Sequence, residues 1–335
     1  MNTTLVRPAE MADLAALTAL AALASWPPHT ASLSSASDET VLVAEAAGVD
    51  GEPAVLLGAL RLRRAVGLAL PRVWYHVGCT VHAASELNLF HRQRTLMLGH
   101  DHTGASELAD IAWAREDVAL SDQAATLQLL VQTALLLIAC NRARYADRLI
   151  TELPGPRDSS GQSPFWQGLG RHFYPGDAQA AAVAHGGAWR THVSALLPRQ
   201  PVYTSFLPAP AQVAIAQVQP DALLLRDVLE QAGLRYSHHV NVEDAGPVLE
   251  ATTDDLATVR RARRFMLALA PQVGEQVCVV LATSADAGAD GGWRATRVRG
   301  QVRGASLAVS GEAMTLLGAA AGSRAWVAPL SSDQG

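Results

Sequence analysis

The spacing of apolar positions changes twice within the first fifty residues. "LVRPAEMADLAALTALAALAS" begins with a short β-like run, breaks at Pro8, and then gathers its apolar residues on one side of a helix. This predicts strand, turn and helix. "HTASLSSASDE" reads as a polar loop. "ETVLVAEAAG" and "EPAVLLGALRLRRAVG" are β-rich runs joined by "VDGEP", a hairpin signal. "VWYHVGCTVHAA" predicts another strand. Two apolar runs flank "GHDHTG", and a helix is predicted from about Ser121 to Tyr145. "RLITELPG" follows as a strand and "SPFWQGLGRHFY" as a short helix ending at glycine.

That order implies an α/β layered arrangement whose sheet is mostly antiparallel at its start. "LLLRDVLEQAGLRYSHHVNV" (223–242) echoes the helix, glycine and strand texture of "SPFWQGLGRHFY". "TTDDLATVRRARR" predicts a charged connecting helix. Residues 275–330 hold short β runs broken by "ADAGADGG", "RGQVRG" and "AAGSR", a small β domain.

Composition narrows the function classes. The 335 residues are 49% hydrophobic and 17% charged, which marks a globular chain. A net charge of −5 argues against a binder of nucleic-acid backbone. All 26 basic residues are arginine. Chemistry that needs a lysine, such as a Schiff base or a phosphate-loop lysine, is therefore excluded. Cys79, Cys140 and Cys278 are too few and too far apart for a disulfide framework or a zinc set, and they suit a reducing cytoplasm. "MNTTLVRPAEMADL" is polar where a secretory signal would be apolar. The run "LQLLVQTALLLIAC" (127–140) is too short for a bilayer, contains Gln128 and Gln132, and reads as a buried helix.

Six stretches, in order, carry a resemblance: "LVRPAEMADLAAL", "VHAASELNL", "TLMLGHDHTGASEL", "SPFWQGLGRHFY", "LLPRQPVYTSFL" and "EDAGPVLE". Together they resemble the bacterial arginine N-succinyltransferase family, including the homologous chains of its two-subunit arginine/ornithine form. The resemblance implies an N-acetyltransferase-like α/β fold, with a mixed, mostly antiparallel sheet flanked by helices and a small β-rich C-terminal domain. Residues 1–180 would form the acyl-CoA domain, 181–255 a second α/β half completing sheet and site, and 256–335 the β-rich domain. The implied reaction moves succinyl from succinyl-CoA, a co-substrate, to the α-amino group of arginine, with no permanently bound cofactor. The implied partners are the acyl-CoA, an arginine-like small molecule and a further copy or homologue of the chain, with neither nucleic acid nor membrane.

The cluster His100, Asp101, His102 invites a metal reading, because positions 100 and 102 share a face on a strand. No third ligand of similar quality is visible. The family pattern here, Asp-His-Thr-Gly, is matched by Asp101, His102, Thr103 and Gly104 but not by His100, and the implied chemistry needs no metal. "HDHTG" is therefore expected as a tight corner between two central strands, with Gly104 supplying an unusual backbone conformation.

Acyl transfer from a thioester needs backbone N–H donors for the CoA pyrophosphate, a route for the amine's proton, and a donor for the oxyanion. The resemblance puts Ile111, Trp113, Arg115 and Ser121 beside the CoA arm. Where the family carries an Arg-x-x-Gly-x-Gly turn, this chain has "AREDVALSDQAATLQ", without glycine. Ser121 is expected as the helix N-cap, with Asp122 in the first turn competing with phosphate for the dipole. The family's acid/base histidine, in Gln-Val-His-Pro, is replaced by Gln219 in "QVQPDA", and His238 and His239 are candidate substitutes. Asp101, His102, Glu107, Asp244 and Glu250 are substrate-facing candidates, with salt bridges to the chain's own arginines as the alternative for the carboxylates. His82 is expected as a buried strand-end histidine. Three outcomes follow: an active N-acyltransferase of this family, a weak or inactive subunit that pairs with a complete homologue, or a diverged acyltransferase with another substrate.

Overall fold

Strand pairing runs unbroken from the small C-terminal barrel to the far edge of the main sheet. The computed structural model describes residues 4–23, 38–46, 54–116, 118–185, 188–270, 274–283 and 292–330. The chain begins with β1 (Thr4–Pro8), α1 (Leu14–Leu23), β2 (Glu39–Ala46), β3 (Val55–Arg63), β4 (Trp74–Ala84), β5 (Leu89–Gly99) and β6 (Ser106–Trp113). The long helix α2 (Leu120–Cys140) and β7 (Arg148–Glu152) follow. Then come α3 (Pro164–Gly168), α4 (Ala178–His185), α5 (Ala188–Ser194), β8 (Val202–Tyr203), α6 (Ala209–Ala214), α7 (Leu223–Ala232), β9 (Arg235–Val240) and β10 (Pro247–Thr252). The last segment holds α8 (Ala257–Arg261), β11 (Arg263–Leu269), β12 (Gln276–Thr283), β13 (Trp293–Arg303), β14 (Ser306–Val309), α9 (Gly311–Leu317) and β15 (Arg324–Pro329).

The sheet order is β12-β15-β11-β14-β13-β1-β2-β3-β6-β7-β10-β9-β4-β5-β8. β12 also pairs with β13, closing β11 to β15 into a small barrel that β13 joins to β1. Among the described pairs β6–β7 and β11–β14 are parallel. This is the expected mixed, mostly antiparallel sheet with a β-rich C-terminal part. The sheet does not break at residues 180 or 255: β9 and β10 lie between β7 and β4.

Alternation along the strands sorts side chains between two faces. Leu60, Leu62, Leu108, Leu149 and Leu249 face α2, whose Leu127, Leu130, Val131, Ala134, Leu135 and Ile138 bury against them. α2 has 21 residues, so it is long and apolar enough by composition to cross a membrane, a correction to the length expected from 127–140 alone; 61% of its apolar window is buried against this core. Each fully buried leucine contributes ~1.5–3 kcal/mol. A second core sits under α3, α5 and α6, where Phe165, Trp166, Trp189 and Ala211 meet Tyr75, Leu96 and Val240 of the sheet.

Several local expectations change. α2 starts one residue before Ser121: Ala119 is the N-cap, its carbonyl accepts from Asp122 and Gln123, and no side chain caps the helix. It also ends at Cys140, where the next turn tightens as Arg142 donates forward to the Tyr145 carbonyl and across to Asp254. The charged connecting helix shrinks to α8, since Arg263 already belongs to β11, paired with β15. His82 is exposed, because the outer half of β4 pairs only with β5 among the described strands. The corner at residues 100–104 is as tight as expected, with Thr103 N bonded to His100 O at 2.9 Å and Gly104 at φ +85. It does not join two central strands, however. β7, β10, β9 and β4 lie between β6 and β5 in the sheet, which leaves β5 next to the edge strand β8. The loop at 29–39 falls largely outside the described residues, as do the turns "VDGEP" and "ADAGADGG".

Candidate active site

β6 and β7 run parallel but share only the register pairs Ser106↔Leu149 and Glu107↔Ile150. Past them the strands part: β6 continues along β3 and β7 along β10, with the Thr151 hydroxyl still donating to Leu108 O at 2.8 Å. A β-bulge marks the same stretch of β6. The register with β3 shifts between Ala59 and Arg61, and Asp110 takes a left-handed backbone, φ +48. Bulges and strained residues of this kind re-aim side chains and cluster at functional sites. Beyond the bulge Ile111 and Trp113 are buried on the α2 side.

The turn from β6 into α2 is tied down by one side chain. Gln123 accepts from Trp113 Nε1 at 3.0 Å and donates to the carbonyls of Arg115 at 3.2 Å and Val118 at 2.9 Å. The Arg115 guanidinium lies 4.3 Å from the Trp113 ring centroid and 3.6 Å from Asp221. Ser121 and Asp122 are exposed in the first turn.

Asp221 lies two residues beyond Gln219, so the Arg115 pair ties this turn to the turn that carries Gln219. Gln219 N donates to Pro154 O at 2.8 Å, and its side-chain oxygen accepts from Arg157 N at 2.9 Å. The carboxamide nitrogen of Gln219 has no protein partner among the described residues. Asp244 secures the loop beneath. Its Oδ1 accepts from Gly155 N and Asn241 Nδ2, both at 2.8 Å, and from Gly246 N at 3.0 Å; its Oδ2 meets Arg157 at 3.2 Å. A Cβ on Gly155 or Gly246 would collide with the neighbouring backbone, which is why glycine sits at both.

The sheet face opposite α2 is charged. Arg61 bonds Glu39 and Asp110 at 2.7 Å each; Arg63 bonds Glu39 and Glu107 at 2.8 Å. Arg72 grips Glu107 at 2.8 and 3.0 Å and also contacts Glu152. Glu152 further accepts from Trp74 Nε1 at 2.6 Å and Arg190 at 3.1 Å, and Arg190 reaches on to Glu243. Burial works to raise the Glu152 carboxyl, yet Arg190 and Arg72 hold it well below its ordinary range. Burial lifts Glu243 above its own, against the pull of Arg190.

Asp101, His102 and Glu250 meet at the other end of β6. His102 is fully buried, 3.3 Å from Glu250 and with its ring 4.4 Å from His239, edge to face; His239 Nε2 is 3.5 Å from Asp101. Burial, then the neighbouring His239 and Arg148, push His102 down to about 4. Among the described residues no group of three or more His, Cys, Asp or Glu is placed to hold a metal ion.

Comparison with known proteins gives this geometry a lineage. The family described as arginine N-succinyltransferase beta subunit matches residues 29–258. The chain belongs to the arginine N-succinyltransferase family. The arginine N-succinyltransferases of Escherichia coli O17:K52:H18 (strain UMN026 / ExPEC) and O127:H6 (strain E2348/69 / EPEC) are each 36% identical over 218 residues, 64% of this chain. The match spans 61% of the length of these curated relatives. Arginine/ornithine succinyltransferase subunit AI from Pseudomonas aeruginosa superposes with a TM-score of 0.78 at 24% identity, covering 99% of this chain and 100% of that one. That likeness establishes the fold.

For a chain of the succinyltransferase family, the sequence-derived candidates fall into two groups. Ile111, Trp113, Arg115, Ser121 and Gln219 surround the parting of β6 and β7, and Asp244 buttresses it. Asp101, His102 and Glu250 lie at the far end of the strands. Glu107 sits between, its oxygens taken by Arg63 and Arg72. His238 is exposed on β9, and His239 contacts His76 and His102 rather than Gln219. The charged face of Arg61, Arg63, Arg72, Glu152, Arg190 and Glu243 was not anticipated. Part of its signal lay in "ALRLRR", where arginine takes every second place of a strand whose leucines face the core.

Proposed function

We propose that this chain binds an acyl-CoA thioester where β6 and β7 part and transfers succinyl from succinyl-CoA to the α-amino group of arginine. The observation that carries this reading is the parting itself. β6 beyond Leu108 keeps β3 as its strand neighbour, and the N-terminus of α2 opens directly after it. A thioester arm needs a free strand edge to lie along, and a pyrophosphate needs the positive end of a helix. The amine nitrogen attacks the thioester carbonyl; the C–N bond forms, the C–S bond breaks, and the thiolate takes up a proton. Gln219 cannot accept the amine's proton, which passes to water, but its free carboxamide N–H can donate to the oxyanion. In this reading the chain works in the cytoplasm within an oligomer of identical or homologous chains.

A second reading has specific support: a weakly catalytic chain that pairs with a complete homologue. Gln123 fills the turn where pyrophosphate would need bare amides, and Gln219 stands where an imidazole would move the proton. Calorimetric titration of the purified chain with succinyl-CoA separates the two. Micromolar binding, with thiol release on adding arginine, supports catalysis; no binding transfers the proposal to the pairing role.

A further inference from the structure

We propose that Glu152 and Glu243 form a guanidinium-binding site that the chain fills with its own Arg190. The two carboxylates come from different parts of the sheet. Glu152 is the last residue of β7, and Glu243 lies in the turn between β9 and β10, its N–H held by Asn241 at 3.1 Å. They grip separate edges of one guanidinium: Nη1 of Arg190 donates to Glu152 at 3.1 Å, and Nε to Glu243. Two carboxylates on two edges suit a planar cation with five N–H donors and suit a point-charge ammonium far less.

Three features distinguish this arrangement from an ordinary internal ion pair. Glu243 is 9% exposed, and its Oε2 is buried with no hydrogen-bond partner, an acceptor aimed at a donor that Arg190 does not supply. A buried carboxylate oxygen left unmatched costs ~1–3 kcal/mol or more, so a purely structural contact would be expected to satisfy it. Next, the cation comes from the short helix α5, while the anions come from the end of β7 and the turn between β9 and β10. Last, the Arg190 side chain is 24% exposed against 12% and 11% for Glu152 and Glu243, so it sits on the solvent side of its partners and its removal opens the site outward. Arg72 shares Glu152, which leaves one Glu152 oxygen and both Glu243 oxygens as the recognition set.

The ligand class is a small alkylguanidinium. The inference stands on these carboxylates alone: thioester binding is measured at α2, guanidinium binding here, and either can fail without the other. The test uses the full chain with Arg190→Ala, and Arg190→Met as a second variant that keeps the packed aliphatic stem. Each is titrated calorimetrically with ethylguanidinium, L-arginine and the neutral isostere L-citrulline. We expect ethylguanidinium and arginine to bind the variants at least ~10-fold more tightly than they bind the unaltered chain, and ~10-fold more tightly than citrulline binds the variants, the tenfold step corresponding to one charge-assisted hydrogen bond. Adding Glu243→Gln should abolish that preference. Equal binding to altered and unaltered chains, equal binding of citrulline, or failure of both variants to fold even with ethylguanidinium present would overturn the proposal.

Discussion

The side-chain oxygen of Gln219 lies 2.9 Å from the backbone nitrogen of Arg157, which fixes the carboxamide and turns its nitrogen away from that bond. A histidine at this position can keep the anchor, with one ring nitrogen accepting from Arg157 N, and present the other to a proton. General acid–base groups are worth ~10²–10⁴ in rate. Gln219→His should therefore raise arginine succinylation by ~10–100-fold, part of the full effect because the rest of the relay has not been built for it. Thiol release with succinyl-CoA and arginine measures this. An unchanged rate would show that proton removal does not limit the reaction.

Asp122 lies exposed in the first turn of α2, a carboxylate at the end of the helix where an incoming pyrophosphate would look for positive charge. Its interaction with the dipole stabilises the helix by ~0.3–1 kcal/mol. Asp122→Asn should lower stability by about that amount and strengthen succinyl-CoA binding several-fold at low salt. The gain should shrink as ionic strength rises, because exposed charges a Debye length of ~10 Å apart are screened near 0.1 M. Denaturant midpoints and calorimetry at two salt concentrations check both halves.

The Asp244 carboxylate, 4% exposed, collects two backbone N–H groups, the Asn241 amide and the Arg157 guanidinium. Asp244→Ala would leave Arg157 without this counter-charge and two buried glycine amides unpaired. Breaking a buried charge pair of this kind costs ~3–5 kcal/mol. Asp244→Asn keeps the Oδ1 acceptor but turns an N–H₂ toward Arg157, and about half that loss is expected. Chemical denaturation measures both, and a loss under about 1 kcal/mol for the alanine variant would remove Asp244 from the framework.

Local periodicity carried most of the fold. The strand at 148–152, the helix ending at Gly168 and the glycine after α7 were all legible, because each is set by neighbours within a turn or two. Long-range order was not. Nothing near residue 100 announces that β9 and β10 will pair between β7 and β4, so the rank of β5 in the sheet was hidden. The N-cap of α2 moved from Ser121 to Ala119 because Gln123, not a hydroxyl, organises the turn before it, and a side chain reaching back to carbonyls has no capping signature. At the site, the family pattern singled out Gln219 and the glycine-free turn. The Glu152–Arg190–Glu243 bridge, between residues 38 and 53 positions apart, left no trace in the sequence pattern.

His102 gives the fold a pH dependence of fixed sign. Its ring is fully buried against Trp74 and His239, and burial first, then the charges of His239 and Arg148, push it down to about 4 from an ordinary 6.5. The unfolded chain therefore binds a proton at this residue between roughly pH 6.5 and 4 that the folded chain refuses. Stability contributed by the neutral ring is present above the upper value and is lost as pH falls through that window, by on the order of 3 kcal/mol in total at 1.36 kcal/mol per unit. The charged groups that face this ring are Glu250, Asp101, Arg148 and Glu152. His102→Phe keeps an aromatic ring against Trp74 without the titrating nitrogens. It should flatten the fall in melting temperature between pH 6.5 and 4.5 relative to the unaltered chain; parallel curves for the two proteins would show that the imidazole is not the group that titrates.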